Sequence, residues 1–118
     1  MSDSFSTGDI IILQPGSATV PYKFTFAAAS SATANDGSIP YGTTISNIAV
    51  KAFDVGGTDR TTEMVASSSV SSLTVTISLK YPATTGPGRY SLEILLTLNS
   101  GAVMEKDFTR VFAEDIAA

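Results

Sequence analysis

Apolar and polar residues alternate with a period of two over most of this chain, and that rhythm constrains the fold more than any other feature. In Leu73-Thr74-Val75-Thr76-Ile77-Ser78-Leu79-Lys80 the alternation is unbroken. Successive side chains of a strand point to opposite faces, so this segment has one buried and one wetted side. Tyr90 to Leu98 follows the same rule: Tyr90, Leu92, Ile94, Leu96 and Leu98 share a face, and Leu95 intrudes on the other. Val20 to Ala28 places Val20, Tyr22, Phe24 and Phe26 on one side. Ile45 to Phe53 has mixed parity, with Ile48, Val50 and Ala52 set against Ile45 and Phe53, which a bulge or burial of both faces would explain. Ala102 to Ala113 reads as a long strand with Met104, Phe108 and Phe112 on one face and Val103 and Val111 on the other. Short strands are expected at Asp9 to Gln14 and Glu63 to Ala66. No segment carries a helical period.

Turn signals separate these runs: Pro15-Gly16, Gly56-Gly57 within Asp54 to Asp59, Ser67-Ser68-Ser69, the Pro/Gly-rich stretch Pro82 to Gly88, and Asn99-Ser100-Gly101. The last is a three-residue hairpin connection with Gly in the left-handed position. Ala29 to Thr44 breaks the rhythm as a Ser/Ala/Asn/Gly-rich loop of the length associated with function or mobility. The whole is 118 residues, the size of one domain. The reading is a flexible arm over 1–8, one β-domain over 9–114 and a tail over 115–118.

Gly88-Arg89-Tyr90-Ser91-Leu92 opens the sixth expected strand after a Pro/Gly turn. Immunoglobulin-like sandwiches place a Tyr there, its hydroxyl bonded back to the corner backbone, two residues before a core position. Tyr90 and Leu92 occupy those two places. The expected fold is therefore all-β, an immunoglobulin-like seven-stranded antiparallel β-sandwich. It has no disulfide, because the chain has no Cys.

Composition narrows the chemistry. There is no His, so the commonest general base and metal ligand are missing. No Gly-x-Ser-x-Gly or Ser-x-x-Lys element occurs, and Gly86-Pro87-Gly88 lacks the Gly-Lys-Ser/Thr ending of a phosphate loop. Glu105 and Asp107 share a strand face and would lie roughly 6.5–7 Å apart, most simply as a solvated edge. Asp54 and Asp59 flank Gly56-Gly57, an oxygen-rich turn without the ligand density of a calcium loop. No catalytic, cofactor-binding or metal-binding residues are assigned, and neither an enzyme nor a small-molecule substrate is expected. The net charge is −4, and the seven Lys and Arg are scattered, which disfavours nucleic acid and anionic membranes as partners. The early apolar run, Ile10 to Leu13, is far short of the roughly 20 residues that span a bilayer, and no basic n-region precedes it. A complete cytosolic product without a signal peptide is expected. Tyr41, in the long loop, is the aromatic best placed to anchor a protein contact.

Two segments resemble the small immunoglobulin-like structural proteins of tailed bacteriophages and prophages, including the fiber–tail adaptor family. One is Asp36-Gly37-Ser38-Ile39-Pro40-Tyr41-Gly42-Thr43-Thr44-Ile45-Ser46-Asn47-Ile48-Ala49-Val50, which is similar to that group's polar loop, Thr-Ile entry and third strand. The other runs from Gly88-Arg89-Tyr90-Ser91-Leu92-Glu93 through Asn99-Ser100-Gly101 to Glu105-Lys106-Asp107-Phe108-Thr109-Arg110, and is similar to its final hairpin. Tyr41 stands nearest the place where that group often carries a Trp. The resemblance implies a non-enzymatic tail or neck component, made in the cytoplasm of a bacterial host and then held in the virion. It implies contacts with other virion structural proteins or with further copies of itself, as a homo-oligomer or ring. The competing expectation is a stand-alone immunoglobulin-like module that binds a glycan or a cell-surface protein through the 29–44 loop.

Overall fold

The alternating segments pair into two four-stranded sheets that bury their apolar faces against one another. The computed structural model describes residues 10–15, 19–34 and 37–114, together with the backbone of Asp3–Phe5. The elements are β1 (Asp3–Phe5), β2 (Ile11–Leu13), β3 (Val20–Thr25), β4 (Ile45–Asp54), a helical turn α1 (Thr61–Met64), β5 (Val65–Ser71), β6 (Thr74–Leu79), β7 (Gly88–Leu98) and β8 (Val103–Ala113). One sheet has the order β1-β3-β6-β5, the other β2-β8-β7-β4. The all-β expectation holds. The count is eight strands among the described residues, not seven, and the sheets are not purely antiparallel: β1 pairs with β3, and β2 with β8, in parallel. β1 lies within the expected arm. The rest of that arm, Gly16 of the first turn, Asn35 and Asp36 of the long loop, and the 115–118 tail fall outside the described residues.

The core follows the pattern of two. Tyr22 and Phe24 of β3 and Val75, Ile77 and Leu79 of β6 face Leu92, Ile94 and Leu96 of β7 and Phe108 of β8, all of them buried. The Phe24 and Phe108 rings meet edge to face across the gap, with centroids 5.3 Å apart and planes at 73°. That is the preferred geometry for an aromatic pair. Among the described residues no polar or charged residue is buried, and no helix is long and apolar enough to cross a membrane.

Two bulges account for the mixed parities. In β4 the register against β7 shifts between Ile45 and Asn47, so Ile45 is buried alongside Ala52 despite its odd spacing. In β8 the register shifts where Thr109 and Arg110 stand opposite the single residue Ser91. Phe108 and Val111 therefore both point inward, against Leu92 and Tyr90. The same slip turns Phe112 outward, beside Arg89 and Ile12, so Phe112 does not share the core face read from the sequence.

Two local readings are corrected. Ser67-Ser68-Ser69 is not a turn but the middle of β5, an edge strand with its serines in water. Small polar residues fit a strand there because nothing has to be filled around them. The strand expected at Glu63 to Ala66 is instead α1 followed by the start of β5. Asp59 begins that helical turn by accepting hydrogen bonds from the Thr61 amide (2.8 Å) and hydroxyl (2.6 Å).

The long loop is pinned. Ser38 and Ile39 donate their amides to the Ala27 carbonyl at 2.8 and 3.2 Å, and Ala29 donates to Ile39 at 2.8 Å. Gly37 passes so close to the backbone of Ala27, Ala28 and Ala29 that no Cβ fits. The result is that Ile39, only 1% exposed, plugs the core from a loop. Replacing Ile39 with Ala should cost about 2–4 kcal/mol, the range for a buried aliphatic truncation. Urea unfolding of the variant checks this, and a loss below about 0.5 kcal/mol would mean that the loop is not anchored by this side chain.

Candidate functional site

Each residue singled out from the sequence has a definite place. Tyr90 heads the inward face of β7 and is buried, and Leu92 follows it into the core. The Tyr90 hydroxyl donates to the Gly86 carbonyl at 2.6 Å, back across the turn that precedes the strand. A buried phenol needs such a partner, since an unsatisfied hydroxyl costs more than the bond returns. Burial, and after it the nearby charges of Glu63 and Asp54, push the Tyr90 hydroxyl above its ordinary pKa, so it remains a proton donor.

The same end of the molecule holds a chain of polar contacts. Asp54 Oδ1 accepts from the Gly56 and Thr58 amides at 2.9 and 3.0 Å, and Oδ2 accepts from Arg60 Nε at 3.0 Å. Arg60 also reaches Glu63 at 3.5 Å. Glu63 accepts from the Thr85 amide and hydroxyl, each at 3.0 Å. α1 is thereby tied to the turn that carries Gly86. The Thr58 amide first, and then Arg60, hold Asp54 below the ordinary carboxylate range. The Thr85 hydroxyl does most for Glu63, and the Thr61 hydroxyl for Asp59. Asp54 and Asp59 are consumed in shaping the turn and do not converge as cation ligands. A recess of about 240 Å³ opens beside them, lined by Val55, Thr85, Pro87 and Tyr90 among others.

Glu105 and Asp107 do lie together on the outer face of β8, and Glu93 of β7 joins them. One carboxylate oxygen from each residue lies within 4.8 Å of the others. Sequence reasoning missed Glu93, because its place opposite Asp107 depends on the β7–β8 register. Lys51 stands opposite Glu93 on the other side. A hydrogen bond with Asp107, then the charges of Asp107 and Glu93, raise Glu105 above its ordinary 4.5. The arrangement can share a proton. Glu105 and Asp107 are exposed and Glu93 is half-buried.

Tyr41 is 56% exposed. It sits in a tight turn closed by the Thr43 amide on the Pro40 carbonyl (3.3 Å), with Gly42 supplying the positive φ of 73° that the turn needs. Thr44 and Asn99 bond each other, Asn99 donating its amide to the Thr44 carbonyl at 2.9 Å and accepting the Thr44 amide at 3.3 Å. The Ile45 amide bonds the Ser72 carbonyl at 3.0 Å. The 26–44 loop, the 72–73 turn and the 99–102 connection thus cluster at one end, opposite the Tyr90 corner. Val103, 58% exposed, and Leu95, 38% exposed, lie on the sheet face toward that same end. No protein-family model and no curated protein matches the chain.

Two outcomes follow for these sites. Tyr90→Phe should cost about 1–3 kcal/mol, because it leaves the Gly86 carbonyl without its donor, read as a lower urea midpoint at unchanged m-value. The carboxylates give opposite pH signs. The depressed groups Asp54, Asp59 and Glu63 stabilise the fold above their ordinary range, and this is lost as pH falls through their lowered values. The raised group Glu105 favours the folded state at low pH, and that contribution is lost as pH rises through its folded value above 4.5. Glu105→Gln should therefore raise the melting temperature at pH 7 and leave it unchanged below pH 4. A decrease at pH 7 would show that Glu105 makes a favourable contact there.

Proposed function

We propose that this chain is a non-enzymatic assembly module: an immunoglobulin-like sandwich that joins other structural proteins of a phage or prophage tail or neck. Three things support the immunoglobulin-like reading. The orders β1-β3-β6-β5 and β2-β8-β7-β4 correspond to the ABED and GFC sheets of such domains, with β2 as an added strand beside the last one. Tyr90 makes the corner bond to Gly86. Leu92 fills the core position two residues later. The parallel pairing of β1 with β3 departs from that scheme.

One observation carries the functional reading: both ends of the molecule expose large apolar side chains, Tyr41, Val103 and Leu95 toward the loop cluster and Ile10, Ile12 and Val55 toward the Tyr90 corner. Large apolar side chains in water are a cost that contact with another protein removes, and a rigid Tyr is a favoured anchor. The partners of this reading are virion proteins. The chain is made in the host cytoplasm and carried in the particle. A second reading draws on the same loop end, which in antibody variable domains bears the binding loops. There the chain is a stand-alone binder of a glycan or a cell-surface protein.

Density-gradient fractionation of particles from a lysate of the encoding organism, probed with an antibody to the chain, separates the two. The assembly reading expects the chain in the particle fractions at fixed stoichiometry. It also expects that a Tyr41→Ser/Val103→Ser double variant is lost from the particles while its stability stays within about 0.5 kcal/mol of wild type, as for surface changes generally. A chain that never co-sediments with particles overturns it in favour of the second reading.

A further inference from the structure

We infer that the outer face beside the Tyr90 corner holds a carboxylate-binding site, in which Arg89 receives an acidic side chain of a partner protein and an adjoining recess receives its aliphatic neighbour. The inference rests on the assembly reading above for the source of that carboxylate. Two recesses meet at this corner. One, of about 190 Å³, is lined by Asp54, Val55, Arg89, Tyr90, Ser91 and Thr109. The other is the recess of about 240 Å³ that extends to Thr85, Pro87 and Gly88. Asp54, Val55, Arg89 and Tyr90 line both, so the two form one surface feature with Arg89 common to its halves.

The β8 bulge sets the position of Arg89. It interrupts the ladder at Ser91, Thr109 and Arg110, and there Arg89 Nε donates to the Thr109 carbonyl at 3.2 Å. That bond holds the guanidinium at the recess and leaves its two terminal nitrogens without a partner among the described residues. Side by side, those nitrogens form the fork that a carboxylate fits end-on. The Ser91 and Thr109 hydroxyls on the same wall also have no partner among the described residues. Asp54, the one acid among the lining residues, is already engaged: its oxygens accept from the Gly56 and Thr58 amides and from Arg60. Arg89 is the one cation among them. The unanswered charge of this corner is therefore positive, on a chain whose net charge is −4.

Size and lining choose the occupant. Each recess is smaller than the roughly 300 Å³ at which small-molecule pockets begin, so single side chains fit where a cofactor would not. Val55 is 85% exposed, and Pro87 stands with it in the larger recess. An aliphatic side chain laid there removes apolar surface from water. An acidic sugar could offer Arg89 the same carboxylate, but its hydroxyl-covered ring would not repeat that gain. The fitting partner presents an Asp or Glu beside a Leu, Ile or Val.

The test uses acetyl-Asp-Leu-amide, titrated into the nitrogen-15-labelled full chain to about 20 mM, because a contact of two side chains corresponds to a Kd of about 1–10 mM. Saturable amide shifts are expected at Val55, Arg89, Ser91 and Thr109. Acetyl-Asn-Leu-amide should bind at least about tenfold more weakly, since it lacks the charge, and acetyl-Asp-Gly-amide about threefold more weakly, since it lacks the aliphatic group. Arg89→Gln should lose the shifts. Arg110→Gln removes the same charge from the same bulge, outside both recesses, and should keep them. Arg89→Gln also uncaps the Thr109 carbonyl, so if that variant is unstable the comparison of the Asp and Asn peptides on wild type decides. No saturable shift in this range, equal binding of the two peptides, or shifts that survive Arg89→Gln in a folded protein overturns the inference. Glucuronate binding more tightly than the Asp peptide also overturns it, in favour of an acidic glycan. A failed titration leaves the particle-incorporation result standing, and the reverse holds too, so the site and the assembly reading fail separately.

Discussion

The structure depends on the meeting of Phe24 and Phe108. Each ring comes from a different sheet, and their edge-to-face contact at 5.3 Å lies inside the shared core. Once those two positions face one another, the period of two commits every neighbouring residue. Tyr22 and Phe24 turn inward, leaving Lys23 and Thr25 in water. Val75, Ile77 and Leu79 do the same on β6. The inner faces are filled by these side chains, packed as densely as protein interiors are.

The bulge in β8 is what reconciles this core with the Tyr90 corner. A regular β8 that kept Phe108 inward would have turned Val111 out and Phe112 in. Two residues against Ser91 reset the phase, so that Val111 packs behind Tyr90 and meets Ile11 of β2 in register. Bulged strands bend and twist more strongly, which suits a strand that must reach β2. The Tyr90 hydroxyl then closes the corner from inside, and the Glu63–Thr85 bonds close it from outside. Two different contacts, one between neutral groups and the other from neutral donors to a carboxylate, fix the same turn.

The sequence was most readable where one period ran unbroken. β6 and β7 lie where alternation places them, with Leu95 exposed on the outer face. Gly101 does take the positive φ that its hairpin position requires, at 92°. The misread places share a cause: the deciding partner is distant in sequence. Nothing local in Ser67-Ser68-Ser69 distinguishes a turn from an edge strand. The choice is made by Thr76, Ile77 and Ser78 across the ladder. Ile39 sat in a polar stretch and read as loop, yet the bonds to Ala27 and Ala29 carry it into the core. The third carboxylate, Glu93, was legible as a surface residue, but its meeting with Asp107 is a property of register. The parallel pairing of β1 with β3 and of β2 with β8 left no mark at all, because three-residue strands are too short to show a period.

The two outer faces differ in a way that bears on assembly. On the β1-β3-β6-β5 sheet the outward rungs are almost all hydroxyl: Ser71, Thr74 and Thr25 in one row, Ser69 and Thr76 beside Lys23 in the next. Thr25 and Thr74 hydrogen-bond each other at 3.2 Å. Lys23 is the charge that interrupts this hydroxyl surface. The other sheet is charged on its outer face, where Lys51 of β4 stands beside the acidic group of Glu93, Glu105 and Asp107.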